Sequence, residues 1–474
     1  MNWTLAVPEI VLSVTGLVIL LFGVIVTRVN PFVPSTLLTI GAMLVTMVLV
    51  VVSPSGSGYD GIFVGDDFAR FIKLLSLAGA ILSLVLSLDY NRREEIARFE
   101  FPVLVLFATV GTMLMASSES LMTLYIGLEL QSLAIYILCA FDRDRLGSAE
   151  SGLKYFVLGS LASGLLLYGI SLVFGFAGTM QYRALSTALA ASAAIPAGLV
   201  VGIVFIIVGL AFKISAVPFH MWTPDVYQGA PAPVTAFTSG APKLAAFALL
   251  LRVMASPFGH VTPQWQLLIE ILAIASMLFG SIAAIPQTSI KRLMAYSSIG
   301  HMGYALIGLA AATPAGVRGT LVYLTTYLFM NAGAFAVIVA MRRRGRAVER
   351  IADLAGLSRS DPALALLMAI FMFSMIGVPP LSGFFGKLLV FSAALQAGMP
   401  TLVVVGIVSS VIGAVYYLRV VRAIYVDPRA SGFDPRPASV SVVSIGMGLV
   451  TGLFIVVLGP VMLAAQAAAA VLFR

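Results

Sequence analysis

The sequence predicts an all-α polytopic membrane protein with about 14 transmembrane helices, built as two inverted five-helix repeats with broken helices 7 and 12. Three observations carry that fold class. Of the 474 residues, 60% are hydrophobic and only 10% charged, whereas a soluble chain carries roughly 25% charged residues. Apolar runs of span length recur from end to end, and at about 20 residues each fourteen of them use about 280 residues. Prolines interrupt two of these runs, five spans apart. Soluble enzymes, nucleic-acid binders and disulfide scaffolds are excluded, and the net charge of +8 reflects topology rather than a polyanionic partner.

Taken in order, the spans fall near 8–27, 34–53, 66–88, 99–117, 119–140, 151–177 and 197–220, then 230–255, 265–285, 293–312, 316–341, 362–393, 399–425 and 440–465. The first lacks a basic leading region and a small-residue cleavage site, so it is read as a retained helix. The stretch Gly56-Ser57-Gly58-Tyr59-Asp60-Gly61 matches GxGxxG. It follows Ser53-Pro54 between two apolar spans, and without a βαβ unit around it the match is read as a loop. The Ala/Ser-rich segment 179–196 is expected to lie along the outer interface as a short helix. These elements divide into an N-terminal three-helix segment (1–95), a first repeat (96–260), a second repeat (261–430) and a C-terminal helix (431–474). The sequon at Asn2 lies too close to the first span to be given weight.

Lys and Arg in the connections set the orientation. With the N-terminus outside, 18 cations fall in inward loops and only Arg183, Arg252, Arg318 and Arg474 fall outward. An even span count with both termini periplasmic satisfies this asymmetry. Six cations remain inside or at the ends of spans: Arg70, Lys73, Lys154, Lys213, Lys243 and Lys387. The chain has six lysines against 22 arginines, yet its deep cations are lysines. Arg stays protonated almost everywhere, while a desolvated Lys gives up its proton readily. A charge at mid-bilayer costs at least about 2.5–3.5 kcal/mol, so such residues face the bundle interior and are functional by default.

Glu129 stands about ten residues into the fifth span, roughly 15 Å deep. Lys213 and Lys243 reach comparable depths in spans seven and eight. A Glu–Lys pair that closes and opens would load and expel a proton; the competing reading is a static ion pair locking two helices. Lys213 precedes Pro218 in GLAFKISAVPFHMW (209–222), and Lys387 follows Pro379-Pro380 and Gly383 in GVPPLSGFFGK (377–387). Proline frees helical carbonyls, and broken helices at corresponding places in two halves point to a transport site. His301 is a candidate relay or a satisfied structural histidine. Lys154 is a further candidate, set against a surface pair with Glu150 at i, i+4. Asp66, Asp67, Glu119 and Asp225 read as solvated or capping, and Glu270 as an interfacial anchor. Cys139 is the only cysteine, so this chain is expected to ligate no iron–sulfur cluster. His220, His260 and His301 have no paired spacing for haem or zinc.

YIGLELQSLAIYIL (125–138), GLAFKISAVPFHMW, APVTAFTSGAPKLAAF (232–247), IKRLMAYSSIGHMGY (290–304) and GVPPLSGFFGK resemble the antiporter-like membrane subunits of proton-pumping NADH:quinone oxidoreductase, respiratory complex I. The resemblance spans about 95–425. The SGAPKLAAF form of span eight, together with Lys387, looks most like the subunit N type. The resemblance implies a proton channel of the membrane arm, with Glu129 and Lys213 as coupling pair, Lys243 as central carrier and Lys387 as terminal residue. It implies no cofactor in this chain, with flavin, iron–sulfur clusters and the quinone site in other subunits. The implied partners are a second antiporter-like subunit, small helical subunits and the lipid of a bacterial inner membrane. The alternative is a subunit of a multisubunit sodium/proton antiporter; a non-transporting scaffold is the third reading.

Overall fold

The computed structural model describes residues 3–26, 30–192, 194–428 and 432–473; Asn2, Arg28, Arg429 and Arg474 lie outside them. All fourteen predicted spans are helical. Eleven helices among the described residues are long and apolar enough to cross a membrane. The other three spans miss that description for separate reasons. Glu100–Ala116 is short, Ile290–Ala310 is polar, with Lys291, Arg292 and His301, and the twelfth is divided into Pro362–Ile376 and Ser382–Gln396. The fourteenth starts earlier and ends later than its apolar run, as Ala438–Gly452 continued by Phe454–Val471.

Segments between spans gather at two ends. At one, Ser289 pairs with Arg350, and the Asn30 amide donates to Ala97 O. This end carries the arginine-rich connections. At the other, Phe63 pairs with Ser118 and Ser120 with Gln181. The short helix expected within 179–196 is Tyr182–Ala191, which buries Tyr182, Leu185 and Leu189. The glycine pattern at 56–61 lies in a hairpin, Gly56–Gly58 against Phe63–Gly65. Span three starts only at Asp67, so no helix opens on a phosphate cradle there.

Glycines set the closest helix crossings, and both repeats use them in the same place. A Cβ on Gly111 of span four would stand 2.5 Å from Gln131 N in span five. A Cβ on Gly280 of span nine would stand 2.6 Å from Gly300 N in span ten. Backbones approach this closely in lipid only where a side chain is missing.

The seventh span stops at Ile214, six residues earlier than its apolar run, and resumes as Thr223–Gly229. Ser215 takes a left-handed conformation (φ 65°) at the break. Two side chains satisfy backbone groups there: Val217 N donates to Ser276 Oγ at 2.9 Å, and Trp222 Nε1 donates to Phe212 O at 2.9 Å. The eighth span, expected to be continuous, is also divided, into Ala232–Ser239 and Ala241–Ala255. Pro242 explains this, since it has no N–H to offer the preceding turn and its ring crowds that turn. Lys243 therefore stands in the first turn after a break.

Candidate functional site

The breaks place three lysines against hydroxyl groups rather than against carboxylates. Lys213, 4% exposed, lies in the last turn of Ala197–Ile214. Its Nζ donates to Ser132 Oγ at 2.7 Å and Tyr136 Oη at 3.2 Å, both from span five. The Glu129 carboxylate, one turn from Ser132, instead accepts from the Ser163 hydroxyl. The expected direct Glu129–Lys213 ion pair is therefore not formed; serines stand beside both groups. Glu129 is also only half-buried, on a face of span five flanked by exposed Ile126 and Leu133.

An aromatic layer leads from Lys213 to Lys243. Tyr136 meets Tyr155 edge-on at 4.9 Å, Tyr155 stacks on Trp222 at 4.2 Å, and Lys243 Nζ lies 5.7 Å from the Trp222 ring. Cation–π attraction of this kind is strongest away from water. Lys243 is 1% exposed, and its Nζ donates to Tyr227 Oη at 2.9 Å and Ser298 Oγ at 2.8 Å. Tyr227 belongs to the half-helix that follows the seventh-span break. Ser298 also accepts from Tyr327 Oη at 2.8 Å.

Span ten carries the row onward, because Ser298, His301 and Tyr304 recur every three residues on one helix face. His301 is 2% exposed. Its Nδ1 is 2.6 Å from Tyr323 Oη and its Nε2 3.1 Å from Tyr417 Oη. The Tyr304 ring lies 4.6 Å from Lys387 Nζ. A cavity of about 10 Å³ is lined by His301, Tyr304, Lys387, Ser410 and Tyr417, close to the room one water needs. Lys387 Nζ donates to Ser410 Oγ at 2.7 Å and to the Ile376 and Met375 carbonyls at 2.8 and 3.1 Å. Those carbonyls end the half-helix Pro362–Ile376, where the helix dipole favours a cation.

A family description, NADH:quinone oxidoreductase/Mrp antiporter, matches residues 118–413, which contain every residue of this row except Tyr417. A curated relative from Gluconacetobacter diazotrophicus, NADH-quinone oxidoreductase subunit N, is 66% identical over the whole of both chains. The chain belongs to the NADH-quinone oxidoreductase subunit N family. A second member of that family, from Granulibacter bethesdensis, is 61% identical, again over the whole of both chains. Among solved structures, a chain of respiratory complex I from Thermus thermophilus superposes with a TM-score of 0.84 at 32% identity, covering 97% of this chain and 99% of that one. A chain of the Mrp complex from Dietzia sp. has a TM-score of 0.87 at 21% identity, covering 100% and 98%. At that identity it shows a shared fold.

Lys154 stands apart from the row of this subunit N chain. It is 41% exposed and pairs with Glu150 at 2.7 Å and Asp225 at 2.8 Å, while Asp225 also pairs with Arg292 at 2.6 Å. The network closes the arginine-rich end of broken span seven. Lys73, another deep cation, forms a buried pair with Glu9 at 2.5 Å. Arg252, counted among outward cations, is not solvated: it is 3% exposed and donates to both Asp66 oxygens at 2.8 and 2.9 Å and to Glu119 at 3.4 Å. Asp66 also caps span three through Ala69 N. The hydroxyls of Ser298, Tyr227, Tyr323, Tyr327, Tyr417 and Ser410 were not singled out from the sequence. The spacing of Ser298, His301 and Tyr304 was the available signal for Ser298 alone, because the other five lie on other helices.

Proposed function

We propose that this subunit moves protons along the buried row Glu129, Lys213, Lys243, His301 and Lys387, as a non-redox translocating part of NADH:quinone oxidoreductase. The single observation supporting this is that two hydrogen-bonded groups, Lys243–Ser298–Tyr327 and Tyr323–His301–Tyr417, follow one another through the middle of the bundle, joined by the Tyr327 and His301 rings at 5.2 Å and by a cavity that His301 and Tyr417 share with Lys387. Each hydroxyl can accept one proton as it gives up another. Each lysine can hold a proton in a place where arginine could not release it. Flavin, iron–sulfur clusters and quinone belong to partner subunits, and the partners beside this chain are another antiporter-like subunit and small helical subunits. The arginine-rich face is the cytoplasmic side of a bacterial inner membrane, with both termini periplasmic. Glu129, half-buried, receives its signal from the neighbouring subunit and transmits it through Ser163 and Ser132 to Lys213.

The test uses membranes carrying the whole enzyme with Lys243→Met. NADH oxidation and proton uptake are recorded after the amount of assembled complex is matched. Loss of pumping with assembly retained supports the reading. Parental oxidation and pumping in the assembled variant would remove Lys243 from the proton path.

A further inference from the structure

The upper half of span eight is anchored twice, on opposite faces. It runs Ala241–Ala255 after the interruption at Gly240 (φ −102°, ψ −100°), with Lys243 in its first turn and Arg252 in its last. Nine positions along a helix are two and a half turns and about 14 Å, so the two side chains leave on opposite sides. Lys243 reaches Ser298 and Tyr227. Arg252 reaches the other way. Its guanidinium lies 4.8 Å from the Phe68 ring of span three, and it donates to both Asp66 oxygens and to Glu119.

The two acids belong to different elements. Asp66 caps span three through Ala69 N. Glu119 is fastened by its backbone to two segments at the arginine-poor end: its N–H donates to Ile62 O beside the hairpin, and its carbonyl accepts from Tyr182 N, both at 3.0 Å. The side chains of Asp66 and Glu119 keep 12% and 11% exposure, against 3% for Arg252. A cavity of about 970 Å³ at that end reaches all three, with Asp67, Arg183 and His260 also on its wall. Tyr182 and the Lys73–Glu9 pair complete the charged and titratable groups around the cluster. One guanidinium therefore faces two carboxylates from two elements. Burial pushes the Glu119 carboxyl up while Arg252 and Ala69 N–H hold Asp66 down, so Glu119 takes a proton first.

We propose that Arg252 is a positioning residue for Lys243, and that protonation of Glu119 from the arginine-poor face decides whether one acid or two hold it. The proposal rests on the reading of Lys243 as a proton carrier. With Glu119 ionised, span three and the start of span five share the guanidinium, and in that setting Lys243 Nζ lies 2.8 Å from Ser298 Oγ. A proton taken from water in the cavity neutralises the Glu119 carboxyl and stays there, leaving Arg252 to Asp66. The half-helix is free to turn about its axis, because Gly240 interrupts it and Pro242 has no N–H to tie it to the preceding turn. Lys and Arg side chains reach similar distances from the axis, so a turn that draws the guanidinium toward span three moves the ammonium by a comparable amount. Lys243 then stands farther from Ser298, and its loading slows. An acidified arginine-poor face thereby restrains the carrier.

The experiment uses the whole enzyme in inverted membrane vesicles, whose lumen meets the arginine-poor face in the orientation proposed above. Luminal pH is varied at fixed external pH, with the membrane potential collapsed by valinomycin and potassium. NADH-driven proton uptake is recorded per assembled complex. The parental rate should fall about tenfold from an alkaline to an acid lumen, roughly the effect of losing one hydrogen bond to a charged group. The midpoint should lie above the ordinary carboxylate value of about 4.3. Glu119→Gln, a permanent stand-in for the protonated acid, should pump at the slow rate at every luminal pH. Arg252→Gln combined with Asp66→Asn, which removes the arginine together with the acid it would strand, should also be slow and flat. A cluster that only holds the fold together predicts fewer complexes, each with the parental rate and pH response. A parental pH response in Glu119→Gln would overturn the proposal, as would a parent indifferent to luminal pH. If the double variant does not assemble, Glu119→Gln decides alone. Pumping lost in Lys243→Met with the parental pH response kept in Glu119→Gln refutes the positioning role alone; pumping kept in Lys243→Met refutes the reading beneath it.

Discussion

Ser298 is the junction at which the central lysine meets the second repeat, and replacing it with alanine isolates that junction. Its Oγ accepts from Lys243 Nζ and from Tyr327 Oη, both at 2.8 Å, and lies 3.4 Å from Tyr227 Oη. In Ser298→Ala the ammonium keeps Tyr227 alone, and the Tyr327 hydroxyl, on a residue 2% exposed, loses its acceptor. A hydrogen bond to a charged group is worth about 1.5–3 kcal/mol, and an unsatisfied buried hydroxyl costs about 1–3 kcal/mol. Only the first quantity bears on holding a proton at Lys243. At about 1.4 kcal/mol per factor of ten, it slows loading of Lys243 by roughly ten- to a hundredfold. The second bears on stability and should appear as a modest loss of assembled complex. The assay is proton uptake by inverted vesicles during NADH oxidation, normalised to complex resolved on native gels. Ser298→Thr keeps the hydroxyl and should pump close to the parent. An alanine variant that assembles and pumps at the parental rate would show that protons do not pass through Ser298.

Gly280→Ala places a Cβ 2.6 Å from backbone and should cost about 1–3 kcal/mol through overpacking, read as less assembled complex, while Gly41→Ala, with nothing nearby, should assemble normally. Lys154→Met removes half-exposed pairs with Glu150 and Asp225, each worth at most about 1 kcal/mol; vesicles should pump at the parental ratio, and a large loss would put Lys154 back among the carriers. The acids around Arg252 should behave oppositely in thermal inactivation of the solubilised enzyme. Burial pushes the Asp66 carboxyl up, but the Arg252 guanidinium and Ala69 N–H outweigh it and leave it below its ordinary value. Its stabilising effect is therefore present above the unfolded value of about 3.9 and is lost as pH falls through the folded value. Burial raises Glu119, and Arg252 only partly offsets this. Its contribution is present below the unfolded value of about 4.3 and is lost as pH rises through the folded one. At neutral pH Asp66→Asn should inactivate faster than the parent, while Glu119→Gln should match or outlast it; the reverse order would refute this account of the cluster.

The lysines of the row were legible because a buried charge is expensive wherever it occurs, so depth along the chain was enough to find Lys213, Lys243 and Lys387. Depth says nothing about rotation around a helix axis. That is why Glu129 and Lys213, correctly placed at neighbouring levels, were expected to touch, whereas the serines at 132 and 163 occupy the contact. Hydroxyl partners were hidden for a different reason: Ser and Tyr are tolerated throughout membrane helices, and only a folded neighbour distinguishes Ser298 from any other serine. The Gly240 break was visible in Ser239-Gly240-Ala241-Pro242 but was masked by the apolar run around it. Arg252 comes from the last turn of span eight and Asp66 and Glu119 from two separate connections, and no local pattern announces a contact between residues 186 apart.

Lys213 precedes the proline break in one half and Lys387 follows it in the other, and it is Lys243, one span on, that makes the bond matching that of Lys387. A break exposes carbonyls that lipid cannot satisfy. In span seven the Trp222 indole N–H serves Phe212 O; in span twelve Lys387 Nζ itself serves Ile376 O. The second turn of each resumed half-helix then faces the next span. There Tyr227 accepts from Lys243 in the first half, and Lys387 donates to Ser410 in the second. Cation and acceptor have changed places across one junction that both halves share. The symmetric feature is thus the broken helix with a hydrogen bond to its neighbour, and the lysine can stand on either side of that bond. A search for equivalent lysines by alignment of the halves would miss this, because Lys243 and Lys387 correspond through the bond they make and not through their place in the repeat.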